Sequence, residues 1–156
     1  MASLTKLFKF SVKELWVLLE AWFIFVKWDL LISFTKYETW RNEITLSPNL
    51  DNASSSINDA TLANQIKQII KLSETAARFH IRKTNCLRRC LSQQQMLKKR
   101  GFAAQMHIGV RFEEEQLLAH AWLTLQGKVI NDSEDVIDRY SELKSVSEKG
   151  ILTALR

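Results

Sequence analysis

Residues 85–101 read NCLRRCLSQQQMLKKRG, and the switch of period just after them decides the architecture. From Cys86 onward, Leu87, Cys90, Leu91, Gln94 and Leu97 fall on one face at helical spacing, and Gly101 stops the run. Residues 103–112, AAQMHIGVRF, then alternate: Ala104, Met106, Ile108, Val110 and Phe112 against Gln105, His107, Gly109 and Arg111. That is the pattern of a half-buried strand. EEEQ (113–116) predicts a hairpin loop, LLAHAWLTLQ (117–126) a second strand, and KVIND (128–132) a third after a Gln126-Gly127 turn. A helix leading into a small antiparallel sheet makes the fold class α+β.

Outward from this stretch, residues 57–79 carry Leu62, Ile66, Ile69, Ile70, Leu72 and Ala76 at the spacing of an amphipathic helix, with Asp59 as its cap. Before it lies LSPNLDNASSSIND (46–59), a polar stretch holding the only proline, which reads as a linker or exposed loop. The chain divides accordingly into an apolar helical segment at 1–45, a polar linker at 46–58 and a third unit at 59–156.

The first segment is very apolar from Leu4 to about Tyr37, with Trp16, Trp22 and Trp28 inside it and Trp40 just beyond. A membrane span needs about 20 nearly uncharged residues. Lys13, Glu14, Glu20, Lys27 and Asp29 interrupt every long window, so this is not a spanning helix. Lys13, Glu20 and Lys27 recur every seven residues and share one line of a helix, while most of the remaining circumference is Leu, Val, Ile, Phe or Trp. Such a helix must be covered by the domain's own core, by a partner protein, or by a membrane surface.

The 156 residues suffice for one domain with a real core, and 46% hydrophobic with 25% charged content is that of a globular protein. The net charge of +5 comes without a Lys/Arg stripe interleaved with aromatics, which argues against nucleic acid. Two cysteines four residues apart on one helix are badly placed for a disulfide. With no cleavable signal peptide at the start, both thiols are expected free in a reducing cytoplasm.

Cys86, His120 and Asp132 occur in that order, at a helix N-terminus, in a strand, and after a turn. The partial positive charge of a helix N-terminus and an imidazolium neighbour lower a thiol's pKa enough to make it a nucleophile. Thr84 or Asn85 can cap the helix, and Arg82, Lys83, Arg88 and Arg89 add positive field. Cys90, one turn deeper, reads as a buried small hydrophobe. His80, His107 and His120 compete for the base. His120 is favoured because a carboxylate follows it at hairpin distance.

The third member is open on residue pattern alone. A two-residue turn at Gln126-Gly127 pairs Trp122 with Asn131 and puts Asn131 on the face of His120; one extra residue or a bulge puts Asp132 there instead. For the oxyanion, the Cys86 backbone N–H is the first donor, with Asn85, His80 and Trp122 as candidates for the second. A zinc site from Cys86, Cys90, His107 and His120 matches no compact spacing, so neither metal nor cofactor is expected. A thiol at a helix N-terminus with imidazole and carboxylate on neighbouring strands is the layout of a papain-like or transglutaminase-like core.

NCLRRCLSQQQMLKKRGFAAQMHIGV (85–110) and AHAWLTLQGKVIND (119–132) resemble the leader peptidase of lasso-peptide biosynthesis, a branch of the transglutaminase-like superfamily. The "CL" start, the basic helix end with glycine, "HIGV", "AHAW", the glycine turn and the aspartate carry that resemblance over roughly residues 76–135. It implies Cys86 as nucleophile, His120 as general base and Asp132 as orienting carboxylate, and hence the longer turn register. It makes 59–156 a transglutaminase-like catalytic domain. It further implies a cysteine peptidase that removes the leader from a ribosomally made precursor. The N-terminal third does not match a leader-recognition module, so the resemblance implies a stand-alone peptidase served by a separate recognition protein. The macrolactam-forming cyclase would be a further partner. Two other readings stay open: an acyl transferase of transglutaminase or amidase type, and a non-catalytic peptide-binding module.

Overall fold

The computed structural model describes residues 10–36, 39, 60–114 and 116–142. Helix α1 (Val12–Phe34) begins at Ser11, whose hydroxyl accepts the Glu14 N–H while the Glu14 carboxylate accepts the Ser11 N–H at 2.8 Å. This reciprocal cap satisfies two of the N–H groups a helix start leaves over. Leu18, Ala21, Phe25, Trp28 and Ile32, at three- and four-residue spacing, enter the core. Burying each large apolar side chain contributes about 1.5–3 kcal/mol. The N-terminal helix is thus built into the domain.

Glu20 and Lys27 of the charged line of α1 face Gln95, Lys99 and Arg100. Glu20 pairs with Arg100 at 2.6 Å and with Lys99 at 3.2 Å, and Lys27 reaches Gln95 Oε1 at 3.4 Å. Val12, Trp16, Leu19, Phe23, Leu30 and Phe34 remain exposed on the side of α1 away from the core. No helix among the described residues is long and apolar enough to cross a membrane.

Helix α2 (Ala60–Arg78) buries Ile66, Ile69, Ile70, Leu72, Ser73, Ala76 and Ala77. The expected start at residue 57, the Asp59 cap and the polar linker at 46–58 lie outside the described residues. Helix α3 (Cys86–Lys98) is central, in contact with α1, α2 and the sheet. Packing on several sides corrects the single apolar face read from the sequence. Arg88, Ser92, Gln93 and Met96 are buried along with Leu87, Cys90, Leu91 and Leu97, while Gln94 is only half-buried and donates to the Ala104 carbonyl at 3.0 Å.

Among the described residues the strands are β1 (Gln105–Glu113), β2 (Gln116–Leu125), β3 (Lys128–Val129) and β4 (Ser141–Glu142), in sheet order β3-β2-β1-β4, all antiparallel. A short helix, α4 (Val136–Arg139), precedes β4. The EEEQ loop is tighter than expected, since the strands run on to Glu113 and Gln116. Ala104, Met106, Ile108, Ala121, Leu123 and Leu125 form the helix-facing side and join the single core. The opposite side carries His107, Gly109, His120, Trp122 and Thr124, which matches the alternation in the sequence up to Ile108; beyond it β1 outruns the core, leaving Val110 half-buried and Phe112 exposed.

The turn between β2 and β3 is the two-residue form. Thr124 pairs with Val129 and Leu125 with Lys128, and Gln126 (φ 50°) and Gly127 (φ 75°) both adopt the left-handed conformation. Positive φ at both central residues is the geometry whose twist suits a tight hairpin. The longer register implied by the resemblance is therefore absent. The third strand also ends at Val129 instead of running to Asp132.

Candidate active site

Cys86 is the first residue of α3, and Asn85 caps the helix from an extended conformation, its Oδ1 accepting the Arg88 N–H at 3.0 Å. The cap leaves the first-turn N–H groups and the positive end of the helix directed at the cysteine. Behind this turn, Asp29 of α1 lies 3.0 Å from Arg88 Nε, too poorly aligned for a hydrogen bond, and 3.4 Å from Arg82 Nη1. Arg89 pairs with Glu74 at 3.3 Å. Much of the positive field expected beside Cys86 is thus already matched by carboxylates.

The way β3 ends makes room for the thiol. Ile130 N–H still donates to the Leu123 carbonyl at 3.0 Å, but the Leu123 N–H donates to Asn131 Oδ1 at 2.7 Å. A side-chain amide thus takes the rung that the Ile130 carbonyl would otherwise fill. The chain then leaves the sheet. In this register the odd-numbered residues of β2 turn their N–H groups toward the β3 edge, so Ala121, one rung on, has lost its strand neighbour. Its N–H points at the Cys86 sulfur.

Leaving the sheet also carries Asp132 to His120. Asp132 Oδ2 is 2.6 Å from His120 Nε2, and Asp132 Oδ1 accepts the Ser133 N–H at 2.7 Å. The same imidazole is hydrogen-bonded to the Cys86 thiol. Cys86, His120 and Asp132 therefore meet in one chain of contacts. The residue pattern alone had opposed Asn131 and Asp132 as alternatives for one position; in the structure each has its own place.

The imidazole belongs to a cluster of three rings, in which Trp122 and Tyr140 are themselves 6.5 Å apart. His120 stacks on Tyr140 at 5.1 Å (28°) and on Trp122 at 6.5 Å (18°). Gly109, opposite His120 in β1, makes this closure fit: a Cβ there would come 2.8 Å from Tyr140 Cβ and 2.9 Å from the Trp122 ring. A glycine inside a strand signals such a close approach, so Gly109 was discoverable from HIGV. Tyr140 was not, because it lies beyond every motif and arrives through α4 and β4.

The charges follow from these contacts. Burial alone would raise the Cys86 pKa, but the His120 hydrogen bond and the Ala121 N–H outweigh it and hold the thiol below its ordinary range. The hydrogen bond to Cys86 raises His120 above an ordinary imidazole against the effect of burial, with Asp132 adding to the rise. Asp132 is likewise disfavoured by burial yet held below the usual carboxylate range by His120 and the Ser133 N–H. The arrangement stabilises a thiolate–imidazolium pair, the state in which a cysteine attacks a carbonyl.

The remaining candidates have other work. Cys90 is 1% exposed, and burial pushes its thiol far above the ordinary range. Asn131 Nδ2 donates to Cys90 Sγ at 3.3 Å and to Gln93 Oε1 at 2.8 Å, and Gln93 passes on to Ser73 and Glu74 of α2. His107 lies on the far side of Trp122 from His120, held by Glu142 and by Thr124 Oγ1 at 2.7 Å. His80 sits beside Trp22 and Phe25 of α1. Trp122 is buried in the ring cluster, and Asn85 Oδ1 accepts the cap hydrogen bond, whereas an oxyanion would be met by its Nδ2. Among the described residues no group of three or more His, Cys, Asp or Glu converges as metal ligands do.

Residues 28–145 match the family model of the transglutaminase-like superfamily, from within α1 to just past β4, and the chain belongs to that superfamily. No curated protein and no solved structure matches it.

Proposed function

We propose that this member of the transglutaminase-like superfamily is a cysteine peptidase that removes the leader from a lasso-peptide precursor. The observation that carries the peptidase reading is the Cys86–His120–Asp132 chain at the N-terminus of α3. The lasso assignment rests on the motif string from Asn85 to Asp132.

The thiolate of Cys86 attacks the scissile carbonyl, forming a C–S bond and an oxyanion. The Cys86 backbone N–H is one donor to that oxyanion. As the C–N bond breaks, His120 gives its proton to the departing amine of the core peptide. Neutral His120 then takes a proton from water, which attacks the thioester and releases the leader as a carboxylate. Asp132 holds the ring in register and offsets its charge.

The exposed stripe of α1 is the surface we assign to the separate leader-recognition protein. Deleting α1 is no test of this, because Phe25, Trp28 and Ile32 belong to the core. Replacing Trp16 and Phe23 by Glu addresses the stripe alone. Loss of co-purification with a folded variant supports the assignment, and retained binding overturns it.

The decisive experiment incubates the protein with a lasso precursor and the recognition protein, and weighs the products. Two fragments summing to the precursor plus one water indicate proteolysis; one product formed with loss of ammonia indicates acyl transfer. Cys86→Ala and His120→Ala should each abolish cleavage while melting normally. Cleavage retained in Cys86→Ala and lost in Cys90→Ala would overturn the assignment.

A further inference from the structure

A second feature adjoins the nucleophile. A cavity of about 340 Å³ is lined by Arg78 at the end of α2, by Arg82, Lys83 and Thr84 in the connection to α3, and by Arg89 and Glu74. Four of these side chains are cationic and one is acidic. Arg82 and Arg89 are steadied by Asp29 and Glu74. Arg78 and Lys83 are exposed and have no acidic partner among the described residues. The cavity therefore combines two positioned guanidiniums with two cations open to an incoming charge.

Its place matters as much as its charge. Thr84 is two residues before Cys86, so the wall lies within about 7 Å of the Cys86 Cα by chain length. Arg89 is three residues on, about 4.5 Å along the helix axis. The volume is at the low end of the range of roughly 300–1,000 Å³ for ligand pockets, which suits one or two amino-acid side chains better than a cofactor. A concave surface of one sign concentrates the opposite charge, and guanidiniums match carboxylate geometry.

We infer that this cavity is a subsite for an acidic side chain, Asp or Glu, of the peptide substrate within a few residues of the scissile bond. The inference rests on the peptide-cleaving reading of the neighbouring site. An acidic residue held there anchors the chain across the N-terminus of α3 and presents its backbone carbonyl to Cys86. A lysine in the same position meets like charge and is rejected.

The test uses internally quenched decapeptides in which each position flanking the cleaved bond is in turn Glu, Gln or Lys. For the wild-type protein, one position should show a Glu-over-Gln advantage in kcat/KM of about 10-fold, weakening with salt. Arg78→Glu/Lys83→Glu should erase that advantage and favour Lys at the same position. Both side chains are exposed, and an unchanged melting curve verifies the fold. Equal rates for Glu and Gln at every position, or an advantage that survives in the double variant, overturns the subsite. A separate arm measures anisotropy of labelled Glu- and Gln-containing peptides on the Cys86→Ala protein. Tighter binding of the Glu peptide, lost on charge reversal, supports the subsite even where wild-type protein cleaves nothing, an outcome that defeats the peptidase reading alone. Equal binding of both peptides counts against the subsite.

Discussion

The carboxamide of Asn131 occupies the rung that β3 vacates beside Leu123, its Oδ1 2.7 Å from the Leu123 amide nitrogen. Its own NH₂ is tied to Gln93 on α3. One side chain thus ends a ladder, locks the sheet to α3, and sends the next residue to His120. Asn131→Ala should leave the buried Gln93 oxygen short of a partner, a cost of about 1–3 kcal/mol. It should also let the strand pair onward, so that Ala121 N–H is drawn from the sulfur. A fall in kcat together with a raised thiol pKa, read by alkylation, is expected. A lowered melting temperature with an unchanged thiol pKa would reduce Asn131 to a structural role.

The opposite shifts of Cys86 and His120 set the pH response. The active pair forms as pH rises through the lowered thiol pKa and is lost as pH rises through the raised imidazole pKa. The two values belong to the coupled pair, and the profile of kcat/KM should be a bell. In His120→Ala, iodoacetamide alkylation of Cys86 should need a higher pH, moving toward the ordinary thiol value of about 8.5. The same alkylation profile in both proteins would show that His120 does not polarise the thiol.

Gly109→Ala tests the ring cluster around His120. The new methyl meets Tyr140 Cβ, which is fixed to the backbone, so the ring cannot simply rotate away. Overpacking of this kind costs about 1–3 kcal/mol. Melting temperature should fall, and kcat should drop further than in Tyr140→Leu, where the cluster loosens without a clash. Wild-type stability and activity in Gly109→Ala would contradict the close approach.

Asp29 ties α1 to the first turn of α3. Both Asp29 and Arg88 are buried, and removing one partner of such a pair strands the other charge at a cost of about 3–5 kcal/mol. Asp29→Ala should lose that much in urea unfolding, and adding Arg88→Met should recover a good part of it. Equal stability of Asp29→Ala and wild type would mean that the contact contributes nothing.

Local chemistry made much of this molecule legible. The period switch near Gly101, the Asn85 cap, the two-sided strands and the pairing of Gln126 with Gly127 are all properties of neighbouring residues, and the structure contains each. The helical spacing of α1 was equally clear, as was the interruption of its apolar run by charge. Which of its surfaces turned inward was not, because the partner residues Gln95, Lys99 and Arg100 lie some seventy or eighty positions away.

The family resemblance singled out Asp132; residue pattern by itself determined the α+β class, the order of elements, and Cys86 and His120 of the candidate triad. These depend on side-chain period, turn chemistry and the end of one helix, all of which act within a few residues. Only tertiary structure decided how Asp132 reaches His120. In the two-residue register strand parity gives Asn131, and parity holds only while the ladder continues. The Asn131 amide ends that ladder by bonding Leu123 in one direction and Gln93 in the other. Because Gln93 belongs to a helix packed beneath the sheet, no local rule could have placed it there.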